Sequence, residues 1–190
     1  CYRRSGAASD LATLRLKDES MHRPTDIFLA RWPLIALIAS ALMLAIAHAF
    51  ETFGGLEPCA MCLRQREVYW AAMAVAAAAL VLGRFREGRS LAPWGAGLLA
   101  AIFLLGAGVA AFHAGVEWKW WPGPASCTTG AGGVDAASLM AALDGAKVRA
   151  PSCDKAVWVF LGLSMAGWNA VISLMLAIAS VFATLRRTRR

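Results

Sequence analysis

Four stretches of the chain are almost wholly apolar, and the polar residues are gathered between them. They run from Leu34 to Phe50, from Val68 to Leu82, from Leu91 to Phe112 and from Ala156 to about Phe182. A membrane-spanning helix needs about 20 mostly apolar residues, with a lower limit near 17. The second stretch falls short of that by itself, so its helix is expected to begin near Cys62 and to carry Arg64 to Glu67 at the membrane surface. Any one stretch could be a buried helix of a soluble protein. Four in one short chain predict an all-α membrane protein, a four-helix transmembrane bundle over residues 32–185. Residues 1–31 then form an N-terminal segment and 186–190 a basic tail. Met21 precedes a basic run that leads into the first stretch and is the expected start, with 1–20 an upstream extension expected to be disordered. A lipid-modified Cys1 is the rival reading.

Between the third and fourth stretches lies a connection from Ala114 to Lys155, long enough to carry function. It opens on Trp118, Lys119, Trp120 and Trp121, residues that suit the headgroup belt. Gly and Pro surround Cys127, which puts that cysteine on an irregular, mobile segment. From Asp135 to Lys147 the pattern turns helical, with Asp135 as a cap and Leu139, Met140 and Leu143 on one face. A short helix lying on the membrane surface is expected there.

Composition supports the membrane reading. Hydrophobic side chains make up 59% of the 190 residues and charged ones 16%, against about 45–50% and about 25% in soluble domains. Mean hydropathy is +0.56. The net charge of +7 does not point to nucleic acid, because the basic residues sit at the ends of apolar stretches. Arg3, Arg4, Arg15, Lys17, Arg23 and Arg31 precede the first. Arg84, Arg86 and Arg89 follow the second, and Arg186, Arg187, Arg189 and Arg190 follow the fourth. The loops between carry fewer over longer lengths: Arg64, Arg66, Lys119, Lys147, Arg149 and Lys155. The positive-inside rule puts both termini in the cytoplasm and both outer loops on the opposite side.

Four of the five cysteines fall in those outer loops. Cys59 and Cys62 form a C-x-x-C, Cys127 and Cys153 lie in the second loop, and Cys1 is left over. In a bacterium this side is the periplasm, where disulfides form and persist. If Cys62 opens a helix, free backbone N–H groups, the helix dipole and Arg64 and Arg66 all favour a low-pKa thiolate. Three readings follow: a redox relay, a pair of structural disulfides, or a metal site made by four sulfurs. The separation of Cys127 and Cys153 lacks the second knuckle of a zinc site, so no metal is expected.

Pro58-Cys59-Ala60-Met61-Cys62-Leu63-Arg64-Gln65-Arg66 resembles the first-loop motif of the disulfide bond formation protein B (DsbB) family. Trp121-Pro122-Gly123-Pro124-Ala125-Ser126-Cys127-Thr128 is similar to its second-loop segment. Pro151-Ser152-Cys153-Asp154-Lys155 and Phe160-Leu161-Gly162-Leu163-Ser164-Met165-Ala166-Gly167-Trp168-Asn169 resemble the entry to its last span. The resemblance covers roughly residues 30–185; Ala60-Met61 departs from the bulkier aliphatic pair of the best-known member. It implies an inner-membrane protein-dithiol:quinone oxidoreductase that reoxidises a DsbA-like periplasmic thiol oxidase and passes electrons to a membrane quinone, ubiquinone or menaquinone.

By resemblance, the partner's thiolate attacks Cys127 of a Cys127–Cys153 disulfide, Cys153 attacks Cys59, and Cys62 is left as a thiolate beside the quinone. Arg66 matches the family's quinone-side arginine; its plain alternative is an arginine snorkelling at the interface. His113 resembles a quinone-site histidine, against a merely buried one. His48 has no motif behind it and is expected to pack, and Glu67 to be interfacial. The rival functions are a metal-handling membrane protein, a disulfide-held scaffold and a quinone enzyme of the vitamin K epoxide reductase type. The last places its quinone-side cysteine pair on a late helix.

Overall fold

The computed structural model describes residues 31–85, 91–124, 127, 140 and 152–188. Four long helices make up most of it: α1, Trp32–Thr52; α2, Ala60–Leu82; α3, Ala92–Glu117; and α4, Met165–Thr188. The N-terminal segment through residue 30, the surface helix expected between Asp135 and Lys147 (Met140 apart) and the end of the basic tail lie outside the described residues.

Helix starts follow the local chemistry. Pro33 stands in the first turn of α1 and Pro93 in that of α3, where a missing N–H costs no intrahelical bond. Helix α2 begins at Ala60, two residues before the expected Cys62, because Cys59 is its N-cap. The fourth apolar stretch does not open as a helix. Val159–Phe160 (β1) pairs antiparallel with Leu163–Ser164 (β2), and α4 starts only at Met165. Leu161 (φ 51°) and Gly162 (φ 80°) make the turn, a left-handed pair that a right-handed helix cannot include.

Among the described residues three helices are long and apolar enough to cross a membrane: α1, α3 and Met165–Arg186 of α4. Helix α2 has the length, 23 residues, but Arg64, Gln65, Arg66 and Glu67 fill its second turn. Leu34, Ile38, Leu42 and Ile46 form an outward apolar stripe on α1, and α4 turns out Leu174, Met175, Ile178 and Phe182. The buried side is built from smaller groups: Ala36, Ala72, Ala76, Ala96, Ala177 and Ala183 around Trp32, Leu99 and Phe103. This inverts the soluble pattern, as expected where the solvent is lipid and helices gain by close approach. At Gly106 a Cβ would stand 2.8 Å from Val68 Cγ1, so only glycine lets α3 come this near α2. Helix α3 packs most extensively on α4, and α2 bridges α1 and α3.

Candidate active site

Pro58 leads the chain in extended form to Cys59 (φ −76°, ψ 168°), whose Sγ accepts the Cys62 backbone N–H at 3.2 Å. Spacing of three on a helix start puts both sulfurs on one side of the first turn, and the Sγ atoms are 2.7 Å apart. The sequence had pointed to Cys62 as the sulfur favoured by the helix N-terminus; the cap makes it Cys59. The Cys59 thiol is held down to about 4 by the Cys62 S–H donating to it; burial works against this, and His113 adds to the lowering.

Cys127 and Cys153 are disulfide-bonded, with Cα atoms 5.1 Å apart. Cys127 is buried and its N–H donates to Pro124 O at 2.8 Å; the segment that follows it, expected to be irregular and mobile, lies outside the described residues. Cys153 is the deeper of the two, 1% against 4% exposed. Both join Cys59 and Met61 in one buried cluster. The Cys59 Sγ, the Cys153 Sγ and a ring nitrogen of His113 all lie within 4.8 Å of one another, a spacing that a soft metal ion could also use. Lys119, in the left-handed region at φ 62°, ties the end of α3 to the Cys153 turn. Its Nζ reaches Asp154 O at 2.7 Å and Asp154 Oδ2 at 2.5 Å, and it holds the Asp154 carboxyl below its ordinary range, with Ser152 adding to the effect.

His113 is buried one turn before the end of α3. Its Nε2 is 3.7 Å from Cys59 Sγ and 3.8 Å from Glu117 Oε1, and Ser164 donates to the other Glu117 oxygen. On the far side of the ring a buried polar chain begins. Gln65 Nε2 is 2.8 Å from His113 Nδ1, Asn169 Nδ2 donates to Gln65 Oε1, and Tyr69 donates to Asn169 Oδ1 and lies 2.9 Å from Ser173 Oγ. None of Gln65, Tyr69, Glu117, Ser164, Asn169 and Ser173 was singled out as a site residue from sequence. The available signal was register: Gln65 and Tyr69, like Asn169 and Ser173, are four apart and so share a helix face.

A cavity of about 330 Å³ opens beside the C-x-x-C turn. Its walls are largely apolar, with Ile46 and Phe50 from α1 and Val157, Trp158 and Phe160 from the segment before α4. Cys59, Cys62, Gln65, Arg66, His113 and Glu117 also line it. Arg66 does not trail along the surface. Its guanidinium donates to Glu51 Oε2 at 2.6 Å and to Ala47 O at 3.3 Å, and its side chain is 15% exposed. Glu67 is exposed and paired with Arg64 at 2.9 Å. His48 is exposed rather than packed, with Nδ1 on Leu44 O of its own helix at 2.8 Å. All six residues named from sequence, Cys59, Cys62, Cys127, Cys153, Arg66 and His113, thus fall in one cluster and its adjoining cavity.

The family model described as disulfide bond formation protein DsbB matches residues 30–183. A disulfide bond formation protein B of Polaromonas sp. (strain JS666) is 31% identical over 154 residues, 80% of this chain and 89% of the relative. One from Marinobacter nauticus is 33% identical over 165 residues, covering 83% and 94%. One from Aromatoleum aromaticum is 32% identical over 139 residues, covering 70% and 78%. No solved structure matched.

Proposed function

The chain belongs to the DsbB family of disulfide bond formation proteins, and from that premise we propose that it reoxidises a DsbA-like periplasmic dithiol oxidase and delivers the electrons to a membrane quinone. It is a multi-pass membrane oxidoreductase of disulfide bond formation. In the proposed arrangement four helices span the bacterial inner membrane, both termini are cytoplasmic and both cysteine loops are periplasmic.

The observation that carries the reading is the proximity of Cys59 Sγ and Cys153 Sγ, within 4.8 Å, which brings two cysteine pairs from distant parts of the chain into exchange range. In the relay, a partner thiolate attacks Cys127 Sγ, the Cys127–Cys153 bond breaks, and Cys153 leaves as a thiolate. Cys127 is taken as the attacked sulfur from its match to the family's second-loop cysteine. Cys153 then attacks Cys59 Sγ of an oxidised Cys59–Cys62 pair, and Cys62 leaves as a thiolate facing the cavity. The second partner thiol resolves the mixed disulfide at Cys127, and the freed Cys127 thiolate attacks Cys153, re-forming their bond and releasing Cys59 as a thiolate, so one partner disulfide is made for each pair of electrons left on Cys59 and Cys62.

The cavity fits a quinone head group: apolar walls for a flat ring, Arg66 as a donor for one of its oxygens, and His113 lining the cavity beside Cys59. When bound, a quinone supplies the two-electron acceptor. Arg66 holds positive charge where negative charge develops, Glu51 keeps its guanidinium at the cavity wall, and the apolar walls exclude water from the Cys62 thiolate.

A second reading, a metal-handling protein, is favoured by the spacing of Cys59, His113 and Cys153. Elemental analysis with a thiol count separates it from the relay. The relay itself is tested by co-expressing Cys153→Ala with the partner. A partner disulfide-linked to Cys127, seen as a reducible band at the summed mass, is expected, whereas Cys127→Ala gives little. A band from Cys127→Ala alone would reverse the roles, and none from either would remove the relay.

A further inference from the structure

We propose that Gln65 and Asn169 are positioning residues that fix the proton of the neutral His113 ring on Nε2, the nitrogen that faces the Cys59 sulfur. An amide nitrogen only donates and an amide oxygen only accepts. Tyr69 donates to Asn169 Oδ1, as does Ser173 at 3.4 Å, and the Asn169 nitrogen stands towards Gln65. Asn169 Nδ2 donates to Gln65 Oε1. The Gln65 oxygen is thereby committed, and its nitrogen stands 2.8 Å from His113 Nδ1. In this arrangement Nδ1 is the acceptor, and a neutral imidazole with an accepting Nδ1 carries its hydrogen on Nε2.

The links reinforce one another because every member is buried: Tyr69, Gln65, His113, Asn169 and Ser173 are each under a tenth exposed. Reversing either amide alone would set donor against donor or acceptor against acceptor; reversing both together would make Tyr69 the acceptor and put the ring proton on Nδ1, the outcome that the test below reads as contrary. The groups facing Nε2 are the Cys59 sulfur at the start of α2 and the Glu117 carboxylate of α3 at 3.8 Å, and the Cys153 sulfur of the second loop lies within 4.8 Å of the ring. Ser164 holds the other Glu117 oxygen, and Arg66 is engaged by Glu51.

An N–H at this position donates to a Cys59 thiolate and has no lone pair for a metal ion. Cys59 is thus kept in the nucleophilic form that re-forms its bond to Cys62 as two electrons leave for the quinone. That use rests on the relay reading; the tautomer does not.

The test needs neither quinone nor partner, so its failure is distinct from failure of the relay. In the reduced, full-length protein labelled with ¹⁵N-histidine and held in detergent micelles, His113 is assigned by His113→Phe. At a pH where the ring is neutral, Nε2 should be the protonated nitrogen. Gln65→Glu presents an acceptor to Nδ1 and should bring a proton onto Nδ1. A wild-type ring protonated on Nδ1, or a ring unchanged by Gln65→Glu, overturns the proposal. Gln65→Met keeps the volume and removes the donor. It should raise the midpoint of the Cys59 thiolate absorbance by about one pH unit, and this shift should vanish in the His113→Phe background. The same shift in both backgrounds would mean that Gln65 acts only through packing, which also overturns it.

Discussion

The Sγ atoms of Cys59 and Cys153 lie within 4.8 Å of each other, although one caps α2 and the other belongs to the turn ahead of the β1–β2 hairpin. Each has a nearer sulfur, Cys62 for the first and Cys127 for the second. Bond formation between the two requires approach to about 2.05 Å, a distance that side-chain rotation at either cysteine largely supplies.

Removing the nearer sulfurs should therefore let this bond form. In a Cys62→Ala, Cys127→Ala double variant, mild oxidation should link Cys59 to Cys153, read as a joined peptide pair by mass spectrometry. Recovery of both as free thiols would put the two pairs out of exchange range.

Arg66 should matter to the acceptor and not to the partner. Arg66→Met should slow quinone reduction by about 30- to 1,000-fold, the loss of one charge-assisted hydrogen bond to a developing oxyanion. Exchange with the partner should be nearly unaffected. Glu51→Gln, which releases the guanidinium from its 2.6 Å ion pair, should change quinone KM while sparing the same exchange. Stopped-flow measurement of both half-reactions checks this, and unchanged quinone kinetics in Arg66→Met would reduce Arg66 to an interfacial arginine.

Stability of the reduced protein should depend on pH through Cys59. Its thiol is held at about 4 against an ordinary 9.0, with the Cys62 S–H the leading cause. A depressed folded-state value gives a contribution that is complete above about pH 9, shrinks as pH falls, and is gone below about pH 4. The Tm of the reduced form should thus fall relative to the fully oxidised form as pH is lowered across that window. Carboxylates such as Asp154 are common to both forms and cancel in the difference. Parallel curves would show that Cys59 is an ordinary thiol.

Topology gives a separate check. Reporter fusions after Arg89 and after Gly130 should give opposite signals, cytoplasmic for the first and periplasmic for the second. Matching signals would contradict four spans.

The cysteines, Arg66 and His113 were legible because each is a chemically conspicuous residue at the edge of an apolar stretch. The helices were legible because length and hydropathy decide them. Gln65, Tyr69, Asn169 and Ser173 were not, since single polar residues inside an apolar helix carry no sign of which neighbour they meet; only the packing of α2 and α4 against His113 gives them roles. Glu117 was hidden for a similar reason, reading as the polar end of α3 until Ser164 and His113 enclosed it. The delayed start of α4 was obscured by composition. Val157 to Leu163 is as apolar as a span, and the left-handed turn at Leu161 places a β-turn on a residue type that rarely takes one. The burial of Cys127 beside Cys59 was hidden because its Gly and Pro neighbours carry no sign of the disulfide partner it meets.

The central claim is that electrons pass from an external dithiol through both cysteine pairs to a quinone. The most direct measurement is anaerobic quinone reduction by the purified protein, driven by a reduced C-x-x-C partner and followed by quinone absorbance. One quinone should be consumed for each partner disulfide formed, and replacing Cys59, Cys62, Cys127 or Cys153 singly by Ala should abolish turnover. Partner-dependent quinone reduction that persists without Cys62 or Cys153, or its absence from the wild-type protein, would contradict the account.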